Sequence, residues 1–222
     1  MEEISREEVL EIARGARVTY IGKSELDNMI PKIEGSEMFG DREFALDLVK
    51  ANGDLFWMLS EELRNDEKFF WIAHNSCGCD DWDLYEATGT NLKNNKQFIL
   101  RLIEITGNPF WILDIEGLAS DKEAVYKALE VSDARQMLDW IEEIDEKFAY
   151  DREFIIRAVA KDKEALEWAC EEIQQDDTIL TEAMIYVAGE KERLEERIRR
   201  VKELYASYEK QVDNNGKTQA DN

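Results

Sequence analysis

A spacing pattern constrains the fold of this chain more than any other feature of its sequence. The tetrapeptide Asp-Arg-Glu-Phe occurs at residues 41–44 and again at 151–154, and related segments begin at intervals of 25, 29, 26, 30 and 25 residues. Each segment opens with Asp or Asn, whose side chains accept hydrogen bonds from the free amides of a helix's first turn. These start residues are Asp41, Asp66, Asn95, Asp121, Asp151 and Asp176. The interval accommodates a helical hairpin with about three turns in each helix.

Apolar residues recur three, four, seven and eight positions after each start residue, which is the spacing of one helix face. Of these 24 positions, only His74 is not apolar. A second apolar series lies three residues before the next start, at Leu63, Leu92, Leu118, Phe148 and Ile173. The tryptophans of LFWML at 55–59 and PFWIL at 109–113 fit the same periodicity, so we interpret them as core residues rather than ligand-stacking groups. The pattern predicts an all-α fold, an α-solenoid-like stack of about five to six helical hairpins.

Glycines indicate where the first helix of a repeat ends. Gly53, Gly78 and Gly107 each lie twelve residues after their start residue. A glycine just past a helix commonly adopts the left-handed conformation, and we expect that conformation at these positions.

The repeat resembles a known family. Residues 41–66, DREFALDLVKANGDLFWMLSEELRND, follow the pattern D-x-E-F-x-x-x-x-V-K-x-N-G-x-x-L and close on L-R-N-D. In this pattern the chain resembles a helical-repeat family of bacterial and protist proteins described only as a domain of unknown function. The match is best at 41–66 and 151–176 and covers residues 41–190. The resemblance implies stacked helical hairpins and no activity.

The two ends differ from the repeats. Residues 1–40 are predicted to form an N-terminal helical cap, opened by a capping box from Ser5 to Glu8. The repeats occupy 41–190, and a C-terminal helix is predicted at 191–212 with a disordered tail at 213–222. Apolar residues in this helix follow a heptad-like spacing, at Leu194, Ile198, Val201, Tyr205, Tyr208 and Val212. Such a seam is compatible with a homodimer or with packing of the helix on the last hairpin.

The composition bounds the environment and the partners. The chain carries 28 basic and 51 acidic residues, a net charge of −23 spread along its length. Such a surface repels nucleic acid and anionic membranes and favours basic partners. The sequence has no recognisable leader and no long apolar run, and its odd number of cysteines fits a reducing compartment. We therefore expect a cytoplasmic protein.

The stretch HNSCGCDDWD at 74–83 is the best candidate for chemistry, because it contains the chain's one histidine and two of its three cysteines. An H-x-x-C-x-C zinc clip from His74, Cys77 and Cys79 is conceivable, but a fourth ligand at a recognised spacing is missing. A disulfide across one residue would be strained. We favour the alternative that His74 fills a core position and makes a local hydrogen bond, and that both cysteines are half-buried, so no metal or other cofactor is predicted.

No catalytic constellation is recognisable, so we predict a non-enzymatic scaffold or adaptor that binds another protein. Extra loop length in a repeat protein tends to lie on a binding face. The predicted binding residues accordingly occupy an extended loop, at Asp80, Asp81, Trp82, Asp83, Tyr85 and Glu86.

Two alternatives remain open at this point. An acidic helical body could act as an inhibitor that mimics nucleic acid and blocks a nuclease or defence complex. A metal-dependent protein centred on His74 and Cys77 would instead carry about one zinc ion per chain.

Overall fold

The computed structural model describes residues 4–18, 37–79 and 81–217, and within them the side chains of 16–18, 190, 191 and 208–217 are not described. Every regular element in these ranges is a helix, so the predicted all-α class is confirmed. The chain divides into two compact units, one formed by residues 1–95 and 203–222 and the other by residues 96–202. Across the described ranges, no helix combines the length and the apolar character needed to cross a bilayer.

The first unit contains six complete α-helices and two 3₁₀ helices in its described part. The α-helices are α1 (Arg6–Val18), α2 (Arg42–Ala51), α3 (Glu61–Arg64), α4 (Glu67–Ser76), α5 (Asp81–Glu86) and α6 (Thr90–Lys93). The 3₁₀ helices are Glu37–Gly40 and Gly53–Met58. Within this unit α2 packs against both α1 and α4.

The second unit begins with α7 and includes the start of the long final helix. Its α-helices are α7 (Lys96–Thr106), α8 (Trp111–Asp114), α9 (Lys122–Val131), α10 (Ala134–Ile141), α11 (Arg152–Lys161), α12 (Glu171–Gln174), α13 (Ile179–Ala188) and α14 (Glu190–Lys217), the last of which passes into the first unit at Glu203. Its 3₁₀ helices are Leu118–Ser120, Glu146–Tyr150 and Lys163–Trp168. Here α9 packs against α7, and α11 against α13.

Four of the start residues, Asp41, Asp66, Asp121 and Asp151, cap helices as predicted. Asp41, Asp121 and Asp151 each accept a hydrogen bond from the backbone N–H three residues later, at 2.9, 3.0 and 3.3 Å. Asp66 and Asp176 accept from the N–H two residues later, at 3.0 and 2.9 Å. The carboxylates of these residues, except that of Asp176, each satisfy one of the first-turn amides that a helix leaves without an internal partner. Asp176 bonds to Thr178, which precedes the first residue of α13.

The predicted apolar stripe is buried in the first five repeats, and so is the series that precedes each start. His74 is the half-buried exception. In the last repeat Ile179 and Ala183 are buried, whereas Leu180 is 53% exposed and Met184 is 75% exposed. The stripe therefore has an uncovered end at α13.

The tryptophans divide between core and surface. Trp71, Trp111 and Trp140 are fully buried, which agrees with the core interpretation of the PFWIL segment. The prediction is wrong for Trp57, which is 40% exposed. It lies in a 3₁₀ helix, whose three-residue turn directs neighbouring side chains differently from an α-helix.

An ion-pair ladder links successive repeats, and the sequence patterns did not reveal it. In four repeats the residue directly after the start residue is basic, and it pairs with the carboxylate of the next start residue. The pairs are Arg42–Asp66, Lys96–Asp121, Lys122–Asp151 and Arg152–Asp176. Glu67 and Asn95 occupy the equivalent positions at the remaining junction.

Backbone hydrogen bonds repeat in the same register. The carbonyl two residues before a start residue accepts from the N–H that lies six residues before the next one. These bonds are Ser60 N to Phe39 O (3.0 Å), Gly89 N to Arg64 O (3.0 Å), Asp145 N to Ala119 O (3.1 Å) and Cys170 N to Ala149 O (3.0 Å).

The same bonds explain why most repeats do not form the second helix that we predicted for each hairpin. In the first and fifth repeats a 3₁₀ helix and a one-turn α-helix replace it. Ser60 and Cys170 donate to the preceding repeat rather than to their own helical carbonyls, so the helix is interrupted there. Among the described residues of the first five repeats, only α10 in the fourth repeat forms a second helix of two full turns, over Ala134–Ile141.

The expected left-handed glycine is present at Gly107, where φ is 69°, but not at Gly53 or Gly78. Gly53 serves a different purpose, because a Cβ there would lie 2.1 Å from Ala73 O and 2.6 Å from Cys77 N. A side chain is therefore excluded by the close approach of α4, not by backbone conformation.

The N-terminal segment opens like a further repeat. Ser5 and Glu8 form the predicted capping box, with Ser5 N donating to Glu8 Oε2 at 2.8 Å. Arg6 then pairs with Asp41 at 3.2 Å, which extends the ladder by one step.

The final helix is longer than predicted. It runs to Lys217, past the predicted boundary at Val212. Residues 218–222 of the predicted disordered tail, and the side chains of Tyr208 and Val212, lie outside the described part of the chain.

Candidate functional site

The HNSCGCDDWD stretch follows a helix whose inner face is fully packed. Asp66 caps α4, and Phe70 and Trp71 are completely buried along it. The helix ends at Ser76, whose hydroxyl donates to Val49 O of the preceding repeat. The segment after Ser76 thus leaves a fixed helix end.

Asp54 holds the turn that follows this helix. Its Oδ1 accepts hydrogen bonds from Gly78 N at 2.7 Å and Cys79 N at 3.0 Å. The backbone of Asp54 is itself positioned by Asn52, whose side-chain oxygen accepts from Asp54 N at 3.1 Å. The turn is therefore anchored to the first repeat through Asp54, which the sequence patterns did not indicate.

The two cysteines of the stretch are joined as a Cys77–Cys79 disulfide. Both residues are half-buried as expected, but the bond between them was not predicted. The sulfur atoms and a carboxylate oxygen of Asp54 lie within 4.8 Å of one another, and His74 is not a member of this group. A metal ion could use both sulfurs as thiolates only after reduction of the disulfide. Cys170 is a free, half-buried thiol.

His74 is engaged at both ring nitrogens. Its Nε2 lies 3.0 Å from Asp81 Oδ1, and its Nδ1 lies 3.1 Å from the Tyr205 hydroxyl. Burial, and to a smaller extent the negative charge of Asp81, raises the pKa of Tyr205 to about 12. A metal or a substrate would have to displace one of these partners to reach the imidazole.

An aromatic cluster surrounds the same histidine. The ring centroids of Trp71 and Tyr205 lie 5.6 and 6.2 Å from that of His74. Trp71 and Tyr205 also meet each other edge to face, at 6.2 Å between centroids. This packing favours a structural role for His74, in which it fastens residue 205 of the final helix within the first unit.

The predicted binding segment is a helix, not an extended loop. Residues 81–86 form α5, and Asp80 lies outside the described residues. Asp81 is committed to His74, as described above, and Tyr85 is buried beneath the Lys93 ammonium group, which lies 5.4 Å from its ring centroid.

The outer face of α5 carries the remaining predicted residues. Trp82 is 45% exposed, and Asp83 and Glu86 are exposed as well. Glu86 pairs with Lys93 at 3.4 Å. Trp82, Asp83 and Glu86 therefore form the part of the predicted site that a partner could contact.

Sequence patterns missed Asp54 and Tyr205 for different reasons. Asp54 belongs to an Asn-Gly-Asp segment, which is typical of a turn after a helix. The pattern therefore gave no indication that Asp54 contacts Gly78 and Cys79. Tyr205 lies 131 residues from His74. Its heptad position indicated that Tyr205 packs against another part of the protein, but not that its partner is His74.

Comparison with known families gives one match to part of the chain. A model of the family described as a domain of unknown function, DUF4116, matches residues 41–79. The matched stretch begins at the first start residue and ends at Cys79, so it includes Asp54 and His74. No curated protein and no solved structure matches the chain. The match supports a domain of unknown function over this stretch and brings no activity with it.

Proposed function

We propose that the protein is a non-enzymatic scaffold whose last repeat binds an amphipathic helix of another protein. The observation that carries the proposal is the exposure of Leu180 and Met184. Residues at their two positions are buried in the preceding repeats, apart from half-buried His74. We call Leu180 and Met184 the α13 face.

The shape of the occupant follows from the repeat. In the fifth repeat, α11 buries the corresponding residues, Ile155 and Val159, while it packs against α13. On α13 the residues at the same two positions, Leu180 and Met184, are exposed instead. A helix with apolar residues at i and i+3 or i+4 matches that arrangement.

The charge of the occupant follows from the charge of the chain. A net charge of −23 attracts a helix whose polar flanks carry Lys or Arg and repels one with acidic flanks. The proposed partner is therefore a basic amphipathic helix.

Selection from a displayed library of random 20-residue peptides on the intact protein would test this proposal. Selected peptides should carry an apolar helical stripe flanked by Lys or Arg. Fluorescence anisotropy should show at least tenfold weaker binding to L180D/M184D, because two new carboxylates would be buried against the stripe. Tyr150→Asp provides a control, since Tyr150 is 65% exposed but lies outside the α13 face.

Two results would count against the scaffold. Peptides that bind L180D/M184D as well as the wild type do not use the α13 face. Peptides that lack an apolar stripe, are rich in arginine and dissociate in 1 M salt would favour the alternative of an acidic nucleic-acid mimic. At this salt concentration the electrostatic screening length falls to about 3 Å, so binding that depends on charge alone is lost. The net charge is the observation that supports that alternative.

A further inference from the structure

The second unit contains a cavity of about 750 Å³ between α9, α11, α13 and α14. This volume lies in the range of small-molecule sites, roughly 300–1,000 Å³. The cavity is separate from the HNSCGCDDWD stretch and from the α13 face, because none of the residues that define those two features lines it.

Positive charge is concentrated in this cavity. Its lining includes the five cations Arg157, Lys161, Arg193, Arg197 and Arg200, and the three carboxylates Glu130, Glu192 and Glu196. Basic groups thus outnumber acidic ones here, although acids outnumber bases by almost two to one in the whole chain. An excess of cations in a concave site attracts an anion.

Some of these charges are already neutralised by neighbours. Arg200 pairs with Glu104 at 3.0 Å and with Glu130 at 2.9 Å. Arg157 pairs with Glu153. These two guanidinium groups serve the packing of the unit and are weak candidates for an incoming ligand.

Arg193 and Arg197 differ, because in the described part of the chain they donate only to backbone carbonyls. Arg193 donates to Tyr186 O, and Arg197 Nη2 donates to Glu104 O at 3.3 Å. The Nε of Arg197 is buried and has no hydrogen-bond partner among the described residues. Four residues apart on α14, the two guanidinium groups share one helix face.

The remaining lining is apolar or aromatic. Arg193 stacks on the Tyr186 ring at 3.7 Å, and Arg157 lies 5.0 Å from the Tyr126 ring centroid. Leu129 and Val187 add aliphatic surface. A ligand that fills this cavity needs an apolar body as well as a charged group.

We propose that this cavity binds a small amphipathic organic anion, with its carboxylate or phosphate on Arg193 and Arg197 and its apolar body between the aliphatic and tyrosine side chains. Guanidinium groups suit both anions, because their paired N–H donors match two oxygens at once. The inference is independent of the proposed scaffold function.

Isothermal titration calorimetry on the intact protein tests the proposal with three probes: decanoate, AMP and inorganic phosphate. We expect saturable binding of decanoate or AMP at one molecule per chain, and at least tenfold weaker binding of inorganic phosphate. Binding of decanoate alone would assign an aliphatic body to the ligand, and binding of AMP alone would assign an aromatic one.

R193Q/R197Q should weaken the binding of that probe at least tenfold. Arg199→Gln is the matched control, because Arg199 lies on the same helix but pairs with Glu196 and is not part of the lining. If the double variant unfolds, R193Q alone replaces it in the test, because Arg193 is at an exposed position. The proposal is overturned if neither organic probe binds, if phosphate binds as tightly as they do, or if the Arg193 variants bind like R199Q.

Discussion

Lys122 Nζ donates to the carboxylate of Asp151 at 2.9 Å, so a cation from one repeat holds the helix cap of the next. Partial burial, the largest influence on the pKa of Asp151, raises it, but hydrogen bonds from Lys122 and from Phe154 N outweigh burial and lower the pKa below its usual value. The stabilisation is therefore present above about pH 4, the pKa of an unfolded aspartate, and is lost as the pH falls through the folded pKa.

Asp151→Asn should accordingly lower the free energy of unfolding more at pH 7 than at pH 3. The asparagine retains a side-chain oxygen for the cap but cannot attract Lys122. Urea unfolding at both pH values measures the difference between variant and wild type. Asp177→Asn is the control, since Asp177 is exposed and has no ion pair within the described residues. An equal loss of stability at both pH values would contradict the assignment.

Gly53→Ala should destabilise the fold by about 1–3 kcal/mol or more, as overpacking against fixed atoms does. The new Cβ would meet the backbone of α4 at Ala73 and Cys77, which cannot move without shifting the helix. Gly15→Ala is the contrasting variant, because no atom lies within 4 Å of a Cβ at that position in α1. It should gain about 0.5–1 kcal/mol from the better helix propensity of alanine. Similar midpoints for both variants in thermal unfolding would refute the close-approach argument.

Ser132→Ala should cost about 1–3 kcal/mol, the penalty for leaving a buried polar group unpaired. The Trp140 indole N–H donates to Ser132 Oγ at 2.9 Å, and both residues are buried. Chemical denaturation followed by circular dichroism gives the change in unfolding free energy. Ser120→Ala, at an exposed position, should change it little. A loss of stability in Ser132→Ala as small as that in Ser120→Ala would show that the indole N–H finds another acceptor.

Tyr205→Ala should increase hydrogen exchange along residues 203–207 and in the last turn of α4. The substitution removes the aromatic contact with Trp71, worth about 0.5–1.5 kcal/mol for such pairs, and the hydrogen bond to His74. Tyr205→Phe keeps the ring and should show a smaller increase. Exchange mass spectrometry that finds the alanine variant as protected as the wild type would exclude a fastening role for this residue.

The sequence predicted the periodic part of the molecule well, because a helix face repeats within a few residues. Phe44, Phe98 and Phe154 share a position and are all buried. The second half of each repeat was predicted poorly, since Ser60 and Cys170 look like ordinary helix residues until their bonds to Phe39 and Ala149 are seen. Local propensity cannot anticipate a backbone donor that is taken by another repeat.

The site was predicted less well than the fold. His74 was expected in a core position with a local hydrogen bond, and Asp81 supplies that bond. Its second partner, Tyr205, is too distant in sequence for any pattern to indicate. The exposure of Leu180 and Met184 was also unpredictable, because their residue types continue the stripe unchanged and only the packing around α13 leaves them uncovered.

The ion-pair ladder allows neighbouring segments of the fold to be recognised from the sequence. A basic residue directly after one start and an aspartate at the next mark two segments that fold as neighbours, as Arg152 and Asp176 do. Glu67 and Asn95 depart from this rule together, and the chain divides into its two compact units directly after Asn95. In other chains built from this repeat, the residue directly after one start and the next start residue should distinguish a continuous run of repeats from a boundary between modules. These two positions give a criterion for choosing where such proteins are recombined or shortened.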